Sequence, residues 1–133
     1  MSIVAIGCNH RSTPLSILER MTIAPDDIPK ALADLGSADH LSEVVVLSTC
    51  NRVEIYAYAE KFHGGYQDIR EFFGRHAGLA PEDVNDHLYA LHDTEAIRHV
   101  LFQNLEGVAG LFEGLFYSGI LFLQCPSWEV PIV

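Results

Sequence analysis

Apolar and polar positions fall in blocks whose periods predict a compact order of strands and helices. Ile3 to Gly7 is a short apolar run closed by polar Asn9-His10-Arg11-Ser12-Thr13, the pattern of a strand and its end. Thr13 before Pro14 predicts a helix start with Thr13 as N-cap, and Leu15, Leu18 and Met21 repeat behind it at helical spacing. Pro25-Asp26-Asp27 restarts a helix whose apolar face is Ile28, Ala31, Leu32 and Leu35, with Gly36 as its stop. Val44 to Leu47 is continuously apolar and β-branched, as in a strand buried on both faces, and Val53 to Ala59 alternates more weakly. Tyr66, Ile69, Phe72, Phe73 and Ala77 then mark a helix that ends at Gly78, and a short turn begins at Pro81. His87 to Leu91 reads as a fourth strand. A last helix begins near Asp93 or Thr94, with Ile97, Val100 and Leu101 toward the sheet and Arg98 and His99 on other sides.

The order β-α-β-β-α-β predicts an α+β fold of the ferredoxin-like type, an antiparallel sheet covered by helices on one face. With right-handed crossovers, the first two strands run parallel and the third lies between them, antiparallel to both. The end of the first strand and the connection between the second and third then share one rim of the sheet. Cys8, Asn9, His10, Thr49, Cys50, Asn51 and Arg52 are expected to gather there.

Composition narrows the chemistry. At 133 residues the chain is long enough for one core. Eight Lys and Arg against 18 Asp and Glu leave a net charge of −10, which argues against a broad footprint on a nucleic-acid backbone. Any RNA contact must be local. Three cysteines at 8, 50 and 125, with no CxxC pair, indicate neither a disulfide scaffold nor a ribbon-type zinc site, and a reducing cytoplasm is expected. The first residues lack the features of a secretory or transit leader. The aromatic residues Tyr56, Tyr58, Tyr66, Phe72 and Phe73 read as core and helix face more than as a base-stacking platform.

Cys50 is the most pointed feature, because it sits in a polar turn between two apolar strands. Nearby cations, hydrogen-bond donors or a histidine would lower a thiol's pKa and make it a nucleophile, and Arg52 and His10 are candidates for that effect. The alternative is a structural thiol. His10 reads either as a base paired with Cys50 or as fixing the strand-end turn together with Asn9. Cys8, His10 and Cys50 are one ligand short of a zinc site.

Gly7-x-Asn9-His10-Arg11-Ser12-Thr13-Pro14, Leu18-Glu19-Arg20 and Ser48-Thr49-Cys50-Asn51-Arg52-Val53-Glu54-Ile55-Tyr56 together resemble the N-terminal catalytic domain of glutamyl-tRNA reductase, a likeness that runs to about His99. The resemblance implies that Cys50 attacks the ester of glutamyl-tRNA to form a thioester, which NADPH reduces to glutamate-1-semialdehyde for tetrapyrrole synthesis. It makes Cys50 the nucleophile and His99 an accessory catalytic group. Arg52 would grip the substrate carboxylate through its two-pronged donor geometry, with hydrogen bonds from Thr49 and Asn51 around Cys50. Full-length reductase subunits and the downstream aminomutase are the implied protein partners.

Past His99 the likeness breaks, so residues 1–105 are read as the catalytic domain and 106–133 as a tail unlike the family. Residues 107–133 hold no Lys or Arg and two acids. No GxGxxG follows a strand, so NADPH has no binding residues in this chain. A shortened or frameshifted reductase product, unable to reduce anything alone, is the expectation. Val108 to Leu123 is shorter than the ~20 residues that span a bilayer, and no membrane attachment is expected. The rival reading from another class is a non-catalytic binding or regulatory module on the same fold.

Overall fold

The computed structural model describes residues 2–49, 51–103 and 120–124. Its elements are β1 (Ser2–Asn9), α1 (Leu15–Met21), a 3-10 turn (Pro25–Asp27), α2 (Ile28–Gly36), β2 (Leu41–Ser48), β3 (Arg52–Ala59), α3 (Phe62–Ala77), α4 (Pro81–Asn85), β4 (Tyr89–His92), α5 (Thr94–Gln103) and β5 (Ile120–Gln124). The strands form one sheet in the order β4-β1-β3-β2-β5. β3 is antiparallel to both β1 and β2, and β4 is antiparallel to β1, so the expected α+β sheet and its central third strand are present.

Strand alternation divides the side chains between two layers. Val4, Ile6, Cys8, Val44, Val46, Val53, Ile55 and Ala57 meet Leu18 and Met21 of α1, Ile28, Ala31 and Leu35 of α2, and Ile69, Phe72 and Phe73 of α3. Ala5, Val45, Leu47 and Tyr56 form a smaller cluster on the other face with Ala96 of α5, and Val100 packs against it. Helices therefore cover both faces. The second layer, under α5, carries the site.

Several local expectations are corrected. Pro14, not Thr13, is the N-cap of α1, and no side chain caps it. Thr13 is buried instead, with its hydroxyl donating to the His87 carbonyl at 3.5 Å. Leu15 is 66% exposed although it shares helical spacing with buried Leu18 and Met21. Gly36 closes α2 without leaving right-handed backbone, since the cap Ser37 has φ −93°. Gly78 does stop α3 in the left-handed region at φ +67°, which only a residue without Cβ enters at little cost. β4 is shorter than expected, beginning at Tyr89.

The face of α5 is rotated from the expected one, with Val100 toward the sheet as expected but Ile97 and His99 exchanged. Ile97 is 46% exposed, while Ala96 is fully buried and His99 half-buried against the sheet. Hydrophobicity favours Ile97 as the inward residue, but the sheet beneath the helix presents a carboxylate, which a histidine can partner and an isoleucine cannot. β5 pairs parallel to β2, from Val44 beside Ile120 to Ser48 beside Gln124. The sequence pattern does not predict it, because an apolar run interrupted by glycines has no strand period. The rest of the 106–133 tail lies outside the described residues. Among them, no helix is long and apolar enough to cross a membrane.

Candidate active site

The rim expected from topology is held by backbone bonds between its two connections. His10 N donates to the Asn51 carbonyl at 2.9 Å, and Asn9 stands opposite Arg52 in the β1–β3 ladder. Asn9 Oδ1 accepts from the amides of Arg11 (2.9 Å) and Ser12 (3.0 Å), so Asn9 folds the strand-end turn. His10 is exposed there.

The connection from β2 to β3 is organised by Thr49. Its amide donates to the Arg52 carbonyl at 2.9 Å. Its hydroxyl accepts from the amides of Asn51 (3.1 Å) and Arg52 (3.2 Å). Thr49 is 3% exposed, so the side chain assigned to substrate contact is committed to shaping the turn. Ser48 ties the same end of the sheet to the chain after α1, accepting from the Ile23 amide at 3.0 Å and donating to the Ile23 carbonyl at 3.2 Å. Cys50, the expected nucleophile, lies outside the described residues; its neighbours in sequence, Thr49 and Asn51, are fixed by these bonds.

Cys8 is a different kind of thiol. It points into the main core, with Sγ 3.7 Å from Met21 Sδ. Burial pushes its pKa up to about 11, so it stays protonated and inert at neutral pH.

On the α5 face, β3 supplies Arg52 and Glu54 two residues apart and therefore on one side. Glu54 is fully buried, Arg52 is 7% exposed, and Arg52 Nη1 donates to Glu54 Oε1 at 3.0 Å. His99 Nε2 bonds the other oxygen, Glu54 Oε2. Burial alone would raise the Glu54 pKa and is the largest single influence; the hydrogen bond and charge of His99, then Arg52, outweigh it and hold the carboxyl below its ordinary value. An ionised carboxylate only accepts, so the proton between the two residues is assigned to His99 Nε2.

The structure thus brings together Arg52 and His99, two of the residues singled out in the sequence, through a third that sequence reasoning missed. Glu54 was legible only as the polar position of an alternating strand, which ordinarily faces water. Gly7 makes room for it. A Cβ on Gly7 would lie 2.2 Å from the Val53 carbonyl oxygen and 3.0 Å from Glu54 Cγ. Gly7 pairs with Glu54 on one side and Tyr89 on the other. Tyr89 was likewise not anticipated. Its ring lies 5.6 Å from the His99 ring, tilted by 58°.

The described residues thus place a guanidinium and a carboxylate-held imidazole on the α5 face of β3, directly after the turn whose sequence contains Cys50. Comparison with known proteins gives the family. The family model for the glutamyl-tRNAGlu reductase N-terminal domain matches residues 6–104. Glutamyl-tRNA reductases of Frankia casuarinae and Frankia alni are each 46% identical over 114 residues, 86% of this chain and 24% of theirs. Among solved structures, the glutamyl-tRNA reductase from Methanopyrus kandleri aligns with a TM-score of 0.50 and 27% identity, covering 84% of this chain and 24% of that one. This chain spans about a quarter of the length of these relatives. On the match over most of its length, the chain belongs to the glutamyl-tRNA reductase family as its N-terminal domain.

Proposed function

We propose that the domain accepts the glutamyl group of glutamyl-tRNA on Cys50. The thiolate attacks the ester carbonyl carbon and a C–S bond forms. The C–O bond to the 3′-terminal ribose breaks, and the departing oxygen takes a proton to leave free tRNA and a protein thioester. Sulfur suits this step because a thiolate is strongly nucleophilic and its thioester is a better hydride acceptor than an oxygen ester.

The observation that carries the reading is the Arg52–Glu54–His99 network, buried where β3 leaves the turn that contains Cys50. Arg52 keeps further N–H donors beyond the Nη1 bond to Glu54, and these are assigned to the substrate's side-chain carboxylate. Asn51 adds hydrogen bonding beside it, and Thr49 acts by holding the turn. His99, oriented by Glu54, handles the proton or orients the acylated tRNA end.

Reduction to glutamate-1-semialdehyde requires hydride, which NADPH supplies. The residues here do not fit that dinucleotide. Each neighbouring pair among β1 to β4 is antiparallel, and among the described residues no Gly-rich strand-to-helix turn admits a pyrophosphate. No step of this domain is therefore routed through it. Reductase activity is accordingly assigned to this domain acting together with full-length reductase subunits that bind the dinucleotide, with the aminomutase as the partner that takes the product.

The test is transfer of labelled glutamate from charged tRNA to the protein. Wild type should acquire a hydroxylamine-labile label and release free tRNA, and Cys50→Ser should do neither. Equal deacylation by the two proteins would remove the nucleophile.

Thiol reactivity provides a second check that also separates this reading from a non-catalytic module. With iodoacetamide at neutral pH, Cys50 should be alkylated well before buried Cys8, whose thiol titrates near 11. Uniformly slow labelling of both would favour the module.

A further inference from the structure

Tyr89 presents a problem that the acyl-transfer reading does not absorb. Its hydroxyl is buried and makes no well-formed hydrogen bond among the described residues, although the Glu54 carboxylate lies near enough to act on it. Phenylalanine would fill the same volume without stranding a polar group. A buried donor without a partner is unfavourable, so a tyrosine here calls for a partner in some other state of the site.

The register indicates which partner. Tyr89 pairs with Gly7, and Gly7 with Glu54, so Tyr89 and Glu54 stand on one face across a strand that has no side chain between them. Any side chain at position 7 would wall the phenol from the carboxylate. The phenol also lies against the His99 ring, the group that holds Glu54 Oε2.

Glu54 cannot be left with one donor cheaply. It is fully buried and ionised, and His99 supplies one of its two side-chain hydrogen bonds. If His99 turns to the substrate, that oxygen loses its partner in a dry environment.

We propose that Tyr89 is a positioning residue whose hydroxyl replaces His99 as the donor to Glu54 when His99 turns toward the acylated tRNA. The turning of His99 toward the acylated tRNA rests on the acyl-transfer reading; the exchange of donors on Glu54 does not. The exchange moves a hydrogen bond and no proton. Burial first, then the charges of Glu54 and Tyr56 and the pull of the Glu54 carboxylate on the phenol proton, push the Tyr89 pKa far up, so the phenol remains a donor.

A double-mutant cycle on the thermal unfolding of the full chain tests the exchange without any activity. Tyr89→Phe alone removes a stranded hydroxyl and should leave Tm unchanged or slightly raised. In a His99→Ala background, where Glu54 Oε2 is free, Tyr89→Phe should lower Tm by a further ~3–5 °C. His99→Leu, which keeps bulk beside Tyr89, is the alternative background if His99→Ala does not fold. Additive shifts, within about 1 °C, would overturn the proposal.

Glutamyl transfer supplies the second arm. Tyr89→Phe should slow transfer about tenfold at saturating charged tRNA, with KM unchanged, because the missing donor is felt only after His99 has moved. Full activity of Tyr89→Phe would overturn the proposed exchange during turnover. If wild type and Cys50→Ser alike take up no glutamate, the acyl-transfer reading falls, and the unfolding cycle still decides for or against Tyr89.

Discussion

Replacing Glu54 with alanine is expected to destabilise the domain by roughly 3–5 kcal/mol, the range for removing one member of a buried ion pair. The cost arises mainly from what remains. Arg52 is 7% exposed, and without the carboxylate its guanidinium is buried with no counter-charge, while His99 loses its acceptor. Glu54→Gln keeps the volume and an acceptor oxygen, so it should lie between alanine and wild type. Denaturant titration of the three proteins checks the order, and a Glu54→Ala domain as stable as wild type would show that the pair is not holding the face together. Acid should reveal the same group. The folded pKa of Glu54 is depressed, so its contribution is fully present above the ordinary value of 4.5 and is lost as pH falls through the folded value. Wild type should lose stability on acidification below about pH 4.5, and Glu54→Gln should lose part of that dependence.

Gly7→Ala is the second large effect. The added methyl would sit 2.2 Å from the Val53 carbonyl oxygen and 2.8 Å from Glu54 Cα, both backbone atoms of the neighbouring strand. No rotamer change relieves a clash with backbone, so β1 and β3 must separate at the centre of the sheet. The cost should therefore reach or exceed the upper end of the ~1–3 kcal/mol typical of overpacking. It should be accompanied by loss of acyl transfer, because the shifted atoms include the Cα that carries Glu54. A variant with wild-type Tm would contradict the close approach of these two strands.

Much of the frame was legible from periodicity. The apolar runs at Ile3–Gly7 and Val44–Leu47, the helical repeat from Tyr66 to Ala77 and the Gly78 stop all follow from side-chain spacing, which the chain carries locally. The rim was legible as well, because right-handed crossovers leave few ways to arrange four strands. The site itself was only half legible. Arg52 stands out from the residues as a cation beside Cys50, whereas His99 is marked only by the resemblance to a family, and helical spacing puts it on the wrong side of α5. Thr49 illustrates another limit: a hydroxyl beside a proposed nucleophile suggests a substrate contact, yet two amides of its own turn already claim it.

By itself, then, the sequence determined the order of the elements, the strand that sits in the middle, and the turn on which Cys50 is carried. Only the tertiary structure decided that Glu54 is buried, that His99 points inward, and that Tyr89 ends beside them. Spacing records which residues share a face of their own strand or helix. Whether a polar face meets water or another layer depends on where α5 lands, and that is settled by contacts between segments some 45 residues apart, such as His99 with Glu54.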